Sequence, residues 1–182
     1  MVALTEVIWM TVCLYRPGNI GHHSVTCASN PNDFQSMIID ACMKVECAPD
    51  KDKWAFEITP VDFLVKSIVL FASKPSHFGQ VFNVVQNDTV PARTVFDLLL
   101  EMKFISNYVS FDEWKSRLYT KAEKEGDYIL NVLAQSLEDV EMYLNDESIY
   151  DCSRFENALS KHSLQRPLTD PDYFKKLIQA KY

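Results

Sequence analysis

Glycine is scarce in this sequence, with four in 182 residues. They form no GxxGxxG run, the Gly-rich turn that joins the first strand of a dinucleotide-binding fold to its first helix. The five cysteines include no CxxC pair. No apolar run reaches the roughly 20 residues that a membrane-spanning helix needs. A complete dinucleotide fingerprint, a paired-cysteine zinc motif and a membrane span are therefore all missing from the sequence.

Basic charge is scarce as well. The 18 Lys and Arg residues are outnumbered by 25 Asp and Glu residues, which gives a formal net charge of -7. The most lysine-rich segment, Lys121 to Lys124, is interrupted by Ala122 and Glu123. Proteins that bind nucleic acid concentrate basic residues on one surface. We therefore expect neither nucleic acid nor a membrane as a partner.

The cysteines are odd in number and scattered, which favours reduced thiols and a cytoplasmic location. The N-terminal MVALTEVIWMTVCLY has no basic start, so we interpret it as a buried strand or an exposed edge and not as a signal peptide. A zinc site would need ligands with the spacing of a zinc motif, which no pair of the candidate residues has. We therefore expect no metal at the four candidates His22, His23, Cys42 and Cys47.

The first half of the chain alternates between strand-like and helix-like segments. Short apolar runs predict strands at Val12 to Tyr15, Trp54 to Ile58 and Val81 to Val85. Two segments have a capping residue, a proline and an acid, as helix starts do: Asn30-Pro31-Asn32-Asp33 and Thr59-Pro60-Val61-Asp62. Buried strands that alternate with helices are typical of an α/β layer with parallel strands.

The second half predicts helices alone. Pro91 to Met102 is amphipathic, and Ser110 to Glu113 is a capping box that opens a helix closed by Gly126. Asp127 to Leu144 has apolar residues at helical spacing throughout and predicts the longest helix. Two shorter helices are predicted near Ser153 to Lys161 and Pro171 to Lys181.

Five sequence blocks carry more information about the protein family than their hydrophobic periodicity does. They are YRPGNIGHHSVT with the nearby ASNPNDF, then CAPD, ITPVDFLVKSIV, VFNVV and VSFDEWKSRL. In this order and spacing they resemble the C-terminal half of a thioester reductase domain. Such domains belong to the extended short-chain dehydrogenase/reductase superfamily and end nonribosomal peptide synthetases, polyketide synthases and fungal aminoadipate reductases.

The resemblance implies a fold and an organisation. Residues 1–90 would be a partial Rossmann-like α/β region, containing the last parallel strands of the sheet and an active-site loop. Residues 91–182 would be a helical substrate-binding subdomain, or cap. The strands predicted at Val12 to Tyr15 and Val81 to Val85 would be parallel neighbours.

The resemblance also implies a chemistry. Family members use NADPH to release an acyl chain, held as a thioester on the phosphopantetheine arm of a carrier protein, as an aldehyde or an alcohol. The loop against the nicotinamide end of the cofactor would consist of Pro17, Gly18, Asn19 and Ile20. Three further residues would lie at the edge of the acyl and pantetheine channel: His23, Ser24 and Thr26.

The sequence departs from the family in two respects. Glycine is usual where this chain has His22 and Cys27, and a larger residue at a positive φ costs of order 1 kcal/mol. The catalytic Tyr-x-x-x-Lys of the family should precede Tyr15, but the upstream residues contain neither tyrosine nor lysine. We therefore assign no catalytic residue and expect little or no reductase activity from this chain alone.

Three functions fit these observations. The first is the substrate-binding portion of a thioester reductase. The second is a non-catalytic module that binds an acyl chain or a carrier protein. The third is an oxidoreductase completed by another chain, either the missing N-terminal half of a reductase or a second copy, since an unpaired sheet edge is a template for association.

Overall fold

The structure is a computed structural model that describes residues 12–30 and 32–181. The expectation for MVALTEVIWMT and the role of Pro31 in a helix start fall outside these residues. Short strands alternate with helices in the first half, and helices dominate the second. The strands are β1 (Leu14–Pro17), β2 (Ile20–Gly21), β3 (Cys47–Pro49), β4 (Ala55–Phe56), β5 (Thr59–Pro60), β6 (Val81–Val84), β7 (Val90–Pro91) and β8 (Asn107–Val109). The helices are α1 (Phe34–Lys44), α2 (Val61–Ala72), α3 (Ala92–Glu101), α4 (Phe111–Glu125), α5 (Tyr128–Gln135), α6 (Leu137–Leu144), α7 (Ser153–Leu159) and α8 (Pro171–Lys181).

The two strands expected to be neighbours are paired. β1 and β6 are parallel, in a register that runs from Leu14 opposite Val81 to Pro17 opposite Val84. Two further pairs, β2 with β5 and β3 with β8, are also parallel, and β4 with β7 is antiparallel. The α/β class with parallel strands is confirmed.

Both proposed helix starts are displaced. Asp33, and not Asn30, is the N-cap of α1, and its carboxylate accepts a hydrogen bond from the Ser36 N–H at 2.9 Å. Thr59 does not cap α2 but lies in β5, where its hydroxyl donates to the Val84 carbonyl at 3.1 Å. The predictions failed because Asp and Thr satisfy different backbone groups in different settings, and the local sequence does not say which.

The second half is not purely helical. β8 interrupts it, and the long helix expected over Asp127 to Leu144 is two helices that meet at Ser136. Ser136 has φ -98° and ψ 7°, and its N–H is shared between the carbonyls of Val132 and Leu133. Apolar spacing continues through the break, so periodicity alone could not reveal it.

Two apolar clusters stabilise the fold. The larger joins α1, β3, α3, α4, α5, α6 and α8, and Trp54 packs edge-on against Trp114 within it at 6.3 Å between ring centroids. The smaller joins α2, β6 and α7 around Phe71, Phe82 and Phe155. The larger cluster contains residues from both sides of residue 90, so the division into 1–90 and 91–182 stays a prediction about organisation along the chain.

No helix within residues 12–30 and 32–181 has both the length and the apolar character to cross a membrane. All five cysteines lie in the described ranges and are free thiols.

Candidate functional site

A cleft of about 580 Å³ lies at the carboxyl ends of β1 and β6. One wall is the last residue of β1, Pro17, with Gly18 and Asn19 of the loop that follows, and the opposite wall is the loop after β6. We call it the strand-end cleft. In open α/β sheets the carboxyl ends of parallel strands are where ligands bind, because the loops diverge there.

The backbone at Gly18 lies in a confined space. The Gly18 N–H donates to the Val84 carbonyl at 3.3 Å, which continues the β1–β6 pairing by one residue. The Glu57 carboxylate occupies the position that a Cβ on Gly18 would take. Glycine is therefore needed here for close approach and not for a left-handed conformation.

Glu57 joins the two walls of the strand-end cleft. Its carboxylate accepts hydrogen bonds from the Asn19 N–H, from the Gln86 N–H at 2.8 Å, and from the Thr59 hydroxyl at 3.3 Å. Burial raises the pKa of this carboxyl, and the hydrogen bonds from Gln86, Asn19 and Thr59 oppose the rise. One partly buried carboxylate thus fixes the spacing of the loops after β1 and β6.

Asn19 contributes an unused donor to this region. Its N–H is held by Glu57, and its carbonyl accepts from the Thr59 N–H at 2.8 Å. Its side-chain Nδ2 is buried and has no hydrogen-bond partner in the described part of the chain. A buried amide donor without a partner is unfavourable by roughly 1 to 3 kcal/mol unless a ligand or water satisfies it.

The outer wall comes from the segment after α6. Asn87 holds it in two directions, since its Nδ2 donates to the Tyr150 carbonyl at 2.9 Å and its Oδ1 accepts from the Tyr150 N–H at 3.1 Å. Tyr143 lines the cleft and packs edge-on against Phe34 at 5.1 Å between centroids. Burial, with a smaller contribution from the Glu57 charge, raises the pKa of Tyr143 to about 12.

The structure separates the predicted site residues into two groups. Pro17, Gly18 and Asn19 line the strand-end cleft, whereas Ile20 lies in β2, is 44% exposed and does not line it. The three residues predicted at the substrate channel lie on the turn that follows β2, away from this cleft: His23, Ser24 and Thr26.

That turn is anchored to the first turn of α2. The Asp62 carboxylate accepts from the Ser24 N–H at 2.8 Å and from the Ser24 hydroxyl at 3.0 Å, and it pairs with Lys66 at 3.1 Å. Burial would raise the pKa of Asp62, but the hydrogen bonds from Ser24 and Lys66 outweigh it and lower the pKa. The His23 Nδ1 accepts from the Thr26 N–H at 3.3 Å and lies 3.9 Å from Asp62.

The two positions where the family usually has glycine differ in backbone conformation. Cys27 has φ 57°, the left-handed region that favours glycine. His22 is not among the described residues with positive φ and is instead a buried side chain, whose Nε2 lies 3.1 Å from the Ser36 hydroxyl. The backbone explanation for glycine therefore applies to Cys27 alone.

Glu57 and Tyr143 are among the lining residues of the cleft that the sequence did not predict. Glu57 lies in a strand-like segment, where an acid normally faces solvent, and Tyr143 is one of many apolar positions on a periodic helix. The signal for Glu57 was the unusual acid directly before the Ile58-Thr59-Pro60 block. No local signal marked Tyr143.

Parallel strands with a loop-lined cleft at their carboxyl ends and a helical layer in the second half define a Rossmann-type α/β protein. A model of an NAD-binding family described as "Male sterility protein" matches residues 4–68. The nonribosomal peptide synthetase FrzA from Cladobotryum sp. is 30% identical over 181 residues, which cover 92% of this chain and 17% of FrzA. The L-2-aminoadipate reductase large subunit of Eremothecium gossypii is 26% identical over 62% of this chain and 8% of its own length.

Solved structures agree in fold. The terminal R domain from the myxalamid PKS-NRPS biosynthetic pathway superimposes with a TM-score of 0.78 at 24% identity, over 94% of this chain and 44% of that one. A thiolation-reductase di-domain from an archaeal non-ribosomal peptide synthetase gives a TM-score of 0.66 at 17% identity, over 94% and 36%. These similarities support the resemblance to a thioester reductase domain of the extended short-chain dehydrogenase/reductase superfamily. The chain spans less than half of the solved domains and about a sixth of FrzA.

Proposed function

We propose that this chain is the C-terminal, substrate-binding portion of an NADPH-dependent thioester reductase. Such an enzyme releases acyl or peptidyl groups from a phosphopantetheinylated carrier protein as aldehyde or alcohol. The observation that carries the proposal is the placement of Pro17, Gly18 and Asn19 in the strand-end cleft, at the carboxyl ends of parallel strands. The similarity to nonribosomal peptide synthetases supports the substrate class.

The residues of the cleft fit the nicotinamide end of the cofactor. Gly18 presents backbone without a side chain. The Nδ2 of Asn19, which has no partner among residues 12–30 and 32–181, is a donor suited to a carboxamide oxygen. When bound, NADPH would supply the hydride that reduces the thioester carbonyl. The role of Glu57 would be to hold the backbone of Asn19 and Gln86 at a fixed separation on either side of the ring.

Proton supply is the step for which this chain offers no suitable group. The Tyr-x-x-x-Lys motif is missing from the sequence. The Tyr143 phenol lines the cleft, but its pKa of about 12 makes it a weaker acid than free tyrosine. We therefore expect binding without turnover, with the remaining groups supplied by the missing N-terminal half of a reductase or by a partner chain.

The nicotinamide assignment can be tested by following backbone amide resonances while NADPH is added to the 182-residue chain. Shifts should concentrate at Gly18, Asn19 and Gln86. Asn19→Ala should weaken them several-fold, whereas Asn32→Ala, an exposed asparagine outside the cleft, should not. Shifts that are absent, or that centre on other residues, would refute this placement of the cofactor.

The substrate assignment is tested separately, with a carrier protein that bears an acyl thioester on its phosphopantetheine arm. Saturable binding is expected, together with an unchanged NADPH absorbance. Ser24→Ala should weaken binding, with Ser106→Ala as the exposed control. Oxidation of NADPH by this chain alone would show that our account of the missing proton donor is wrong.

A non-catalytic binding module is the second candidate. The buried His22 and the left-handed Cys27, both at positions where the family usually has glycine, favour it because they indicate a relaxed demand on this turn. If the chain binds the carrier protein but NADPH does not shift the amide resonances of Gly18 or Asn19, the non-catalytic module is favoured over the reductase portion.

We also propose a cytoplasmic location. The five cysteines are all free, as expected of a reducing compartment. A single thiol titration of protein isolated without reductant would check this, since five reactive thiols under denaturing conditions are expected.

A further inference from the structure

A second cleft lies at the opposite end of β6. It has a volume of about 470 Å³ and is formed by the short 3-10 turn Pro75–His77, by Gln80 just before β6, and by α7 with the residues after it. None of its lining residues is shared with the strand-end cleft. We call it the basic cleft.

The residues that line the basic cleft carry charge of one sign. Three are cations, Lys74, Arg154 and Lys161, and two are histidines, His77 and His162. Within the described residues no acid lines it, although the whole chain has a net charge of -7. A cleft lined by one sign of charge focuses the field and raises the local concentration of the opposite ion.

These cations are not used for structure. Eight other Lys and Arg residues form ion pairs within 4.0 Å, but none of Lys74, Arg154 and Lys161 does so among the residues described. Glu156 on α7 pairs with Arg166 at 2.7 Å. Asp151, two residues before α7, accepts the Ser153 N–H at 2.9 Å, and the Ser153 hydrogen bonds, with a smaller contribution from the Arg154 charge, lower its pKa. The positive charge of the cleft is therefore available to a ligand.

His77 provides a second observation. Its side chain contacts Phe71 at 4.8 Å and Phe82 at 5.6 Å between ring centroids, and the residue is 8% exposed. Neither ring nitrogen has a hydrogen-bond partner in the described ranges, yet the ring borders the cleft beside His162 at 6.1 Å. Among the described residues neither His77 nitrogen is a buried atom left without a partner, so the ring can hydrogen-bond at the cleft to solvent or to a ligand.

We propose that the basic cleft binds a small phosphate-type anion. The fold supplies two kinds of recognition, since Lys74, Arg154 and Lys161 provide charge and the hydroxyls of Ser76 and Ser153 provide neutral donors. The volume exceeds that of one phosphate ion, so the site has room for the organic part of a phosphate monoester. The assignment does not depend on the proposed reductase function.

The anion should also change the titration of His77. Burial lowers its pKa, and the positive charges of His162, Lys161 and Lys74 lower it further. The other neighbours are Arg154 on α7 and the Cys13 thiol, which donates to the His77 carbonyl at 3.1 Å. A bound dianion would raise the His77 pKa, and by reciprocity the anion would bind more tightly as the pH falls.

The test is a titration of the full chain with inorganic phosphate, monitored by backbone amide resonances. Saturable shifts at His77 and along residues 153–162 are expected below about 10 mM phosphate. The variant Lys74→Gln/Arg154→Gln/Lys161→Gln, which changes three exposed side chains, should weaken binding about tenfold or more. The control Lys53→Gln/Lys124→Gln/Lys175→Gln removes the same charge from exposed positions outside the cleft and should change affinity by less than about twofold.

Two results would overturn the proposal. One is the lack of saturable shifts in the wild-type chain. The other is an equal loss of phosphate affinity in both triple variants, which would mean that binding depends on the net charge of the protein and not on this cleft. Comparison of glycerol phosphate with inorganic phosphate identifies the source, since tighter binding of the ester indicates a phosphate monoester and weaker or equal binding indicates the free ion. Sulfate, whose charge is constant with pH, serves for the measurement of the His77 pKa.

Discussion

Glu57 shows how one side chain can set the geometry of a site without lining it alone. Its carboxylate accepts hydrogen bonds from two backbone N–H groups, one in each of two loops, and it fills the space beside Gly18. Because a carboxylate has acceptor oxygens only, it suits this pair of donors better than any neutral side chain of the same size.

We predict that Glu57→Gln destabilises the protein by about 1 to 3 kcal/mol, because the amide group replaces one acceptor and leaves a backbone N–H without a partner. The measurement is urea-induced unfolding at neutral pH. Glu138→Gln, at an exposed position on α6, is the matched control and should be neutral. Equal stability of the two variants would mean that the loops do not depend on the Glu57 carboxylate.

Cys27 carries a backbone conformation that its side chain disfavours. We predict that Cys27→Gly raises the free energy of unfolding by about 0.5 to 1 kcal/mol, because glycine adopts φ 57° without steric strain. Thermal or urea unfolding measures the change. Cys27→Ala also removes the thiol but keeps a Cβ, so it should give no such gain, and a gain in both variants would assign the effect to the thiol.

At the residue scale, the sequence predicted a loop from Pro17 to Ile20, of which Ile20 lies in β2 and outside the cleft, and it did not predict the support of that loop. The loop has a recognisable local pattern, whereas the contact from Glu57 to Asn19 spans 38 residues and that to Gln86 spans 29. Contacts of this range depend on the register of strands, which a local pattern does not encode. The predicted turn with Ser24 was likewise placed without its Asp62 anchor, 38 residues away.

The N-terminus of α5 is linked to the end of α1 through Asp127. Asp127 is its N-cap, accepting from the Ile129 N–H at 2.9 Å and the Leu130 N–H at 3.1 Å, and it also pairs with Lys44 from the end of α1. The hydrogen bond from Lys44, together with these backbone donors, lowers the pKa of Asp127. A lowered carboxyl pKa contributes stability above the ordinary pKa, and that stability is lost as the pH falls through the folded value.

We therefore predict that Asp127→Asn lowers stability by about 0.5 to 1 kcal/mol at pH 7, with the difference shrinking towards zero by about pH 3 or below. Asparagine retains the capping geometry, so the variant isolates the charge. Urea unfolding of both proteins across this pH range gives the result. Asp139→Asn on the exposed face of α6 is the control, and a pH-independent difference would point to capping geometry instead.

At the scale of elements, helices with caps and strong periodicity were predictable and very short strands were not. Ser110 caps α4 and Gly126 closes it in a left-handed conformation, as the sequence indicated. Strands of two residues, such as β2 and β5, are defined by their partners and carry no pattern of their own. The expected strand Trp54 to Ile58 is correspondingly reduced to β4.

At the scale of the whole molecule, apolar side chains are exposed on one face of α2 and on β1. Val65 and Val69, one helical turn apart on α2, are 52% and 65% exposed, and Leu14 on β1 is 44% exposed. β1 pairs on one side only within the described residues. Exposed apolar residues beside an unpaired strand edge favour association.

We predict that the chain self-associates in sedimentation velocity as concentration rises, and that Val65→Lys/Val69→Lys makes it monomeric by placing charge on that face. Val25→Lys/Leu168→Lys changes two residues that are even more exposed, at 80% and 78%, but lie elsewhere, and it should leave association unchanged. A wild-type chain that stays monomeric at every concentration would contradict the prediction.

The attachment of Tyr150 to Asn87 has a consequence for motion. This wall of the strand-end cleft is held by hydrogen bonds between exposed groups, whereas the Thr59 hydroxyl is bonded to Val84 in the interior. Local unfolding begins where backbone groups are bonded near solvent and few apolar contacts must be broken. The Tyr150 amide should thus exchange with deuterium sooner than the Val84 amide. The wall at the mouth of the cleft can open locally while β1 and β6 remain paired.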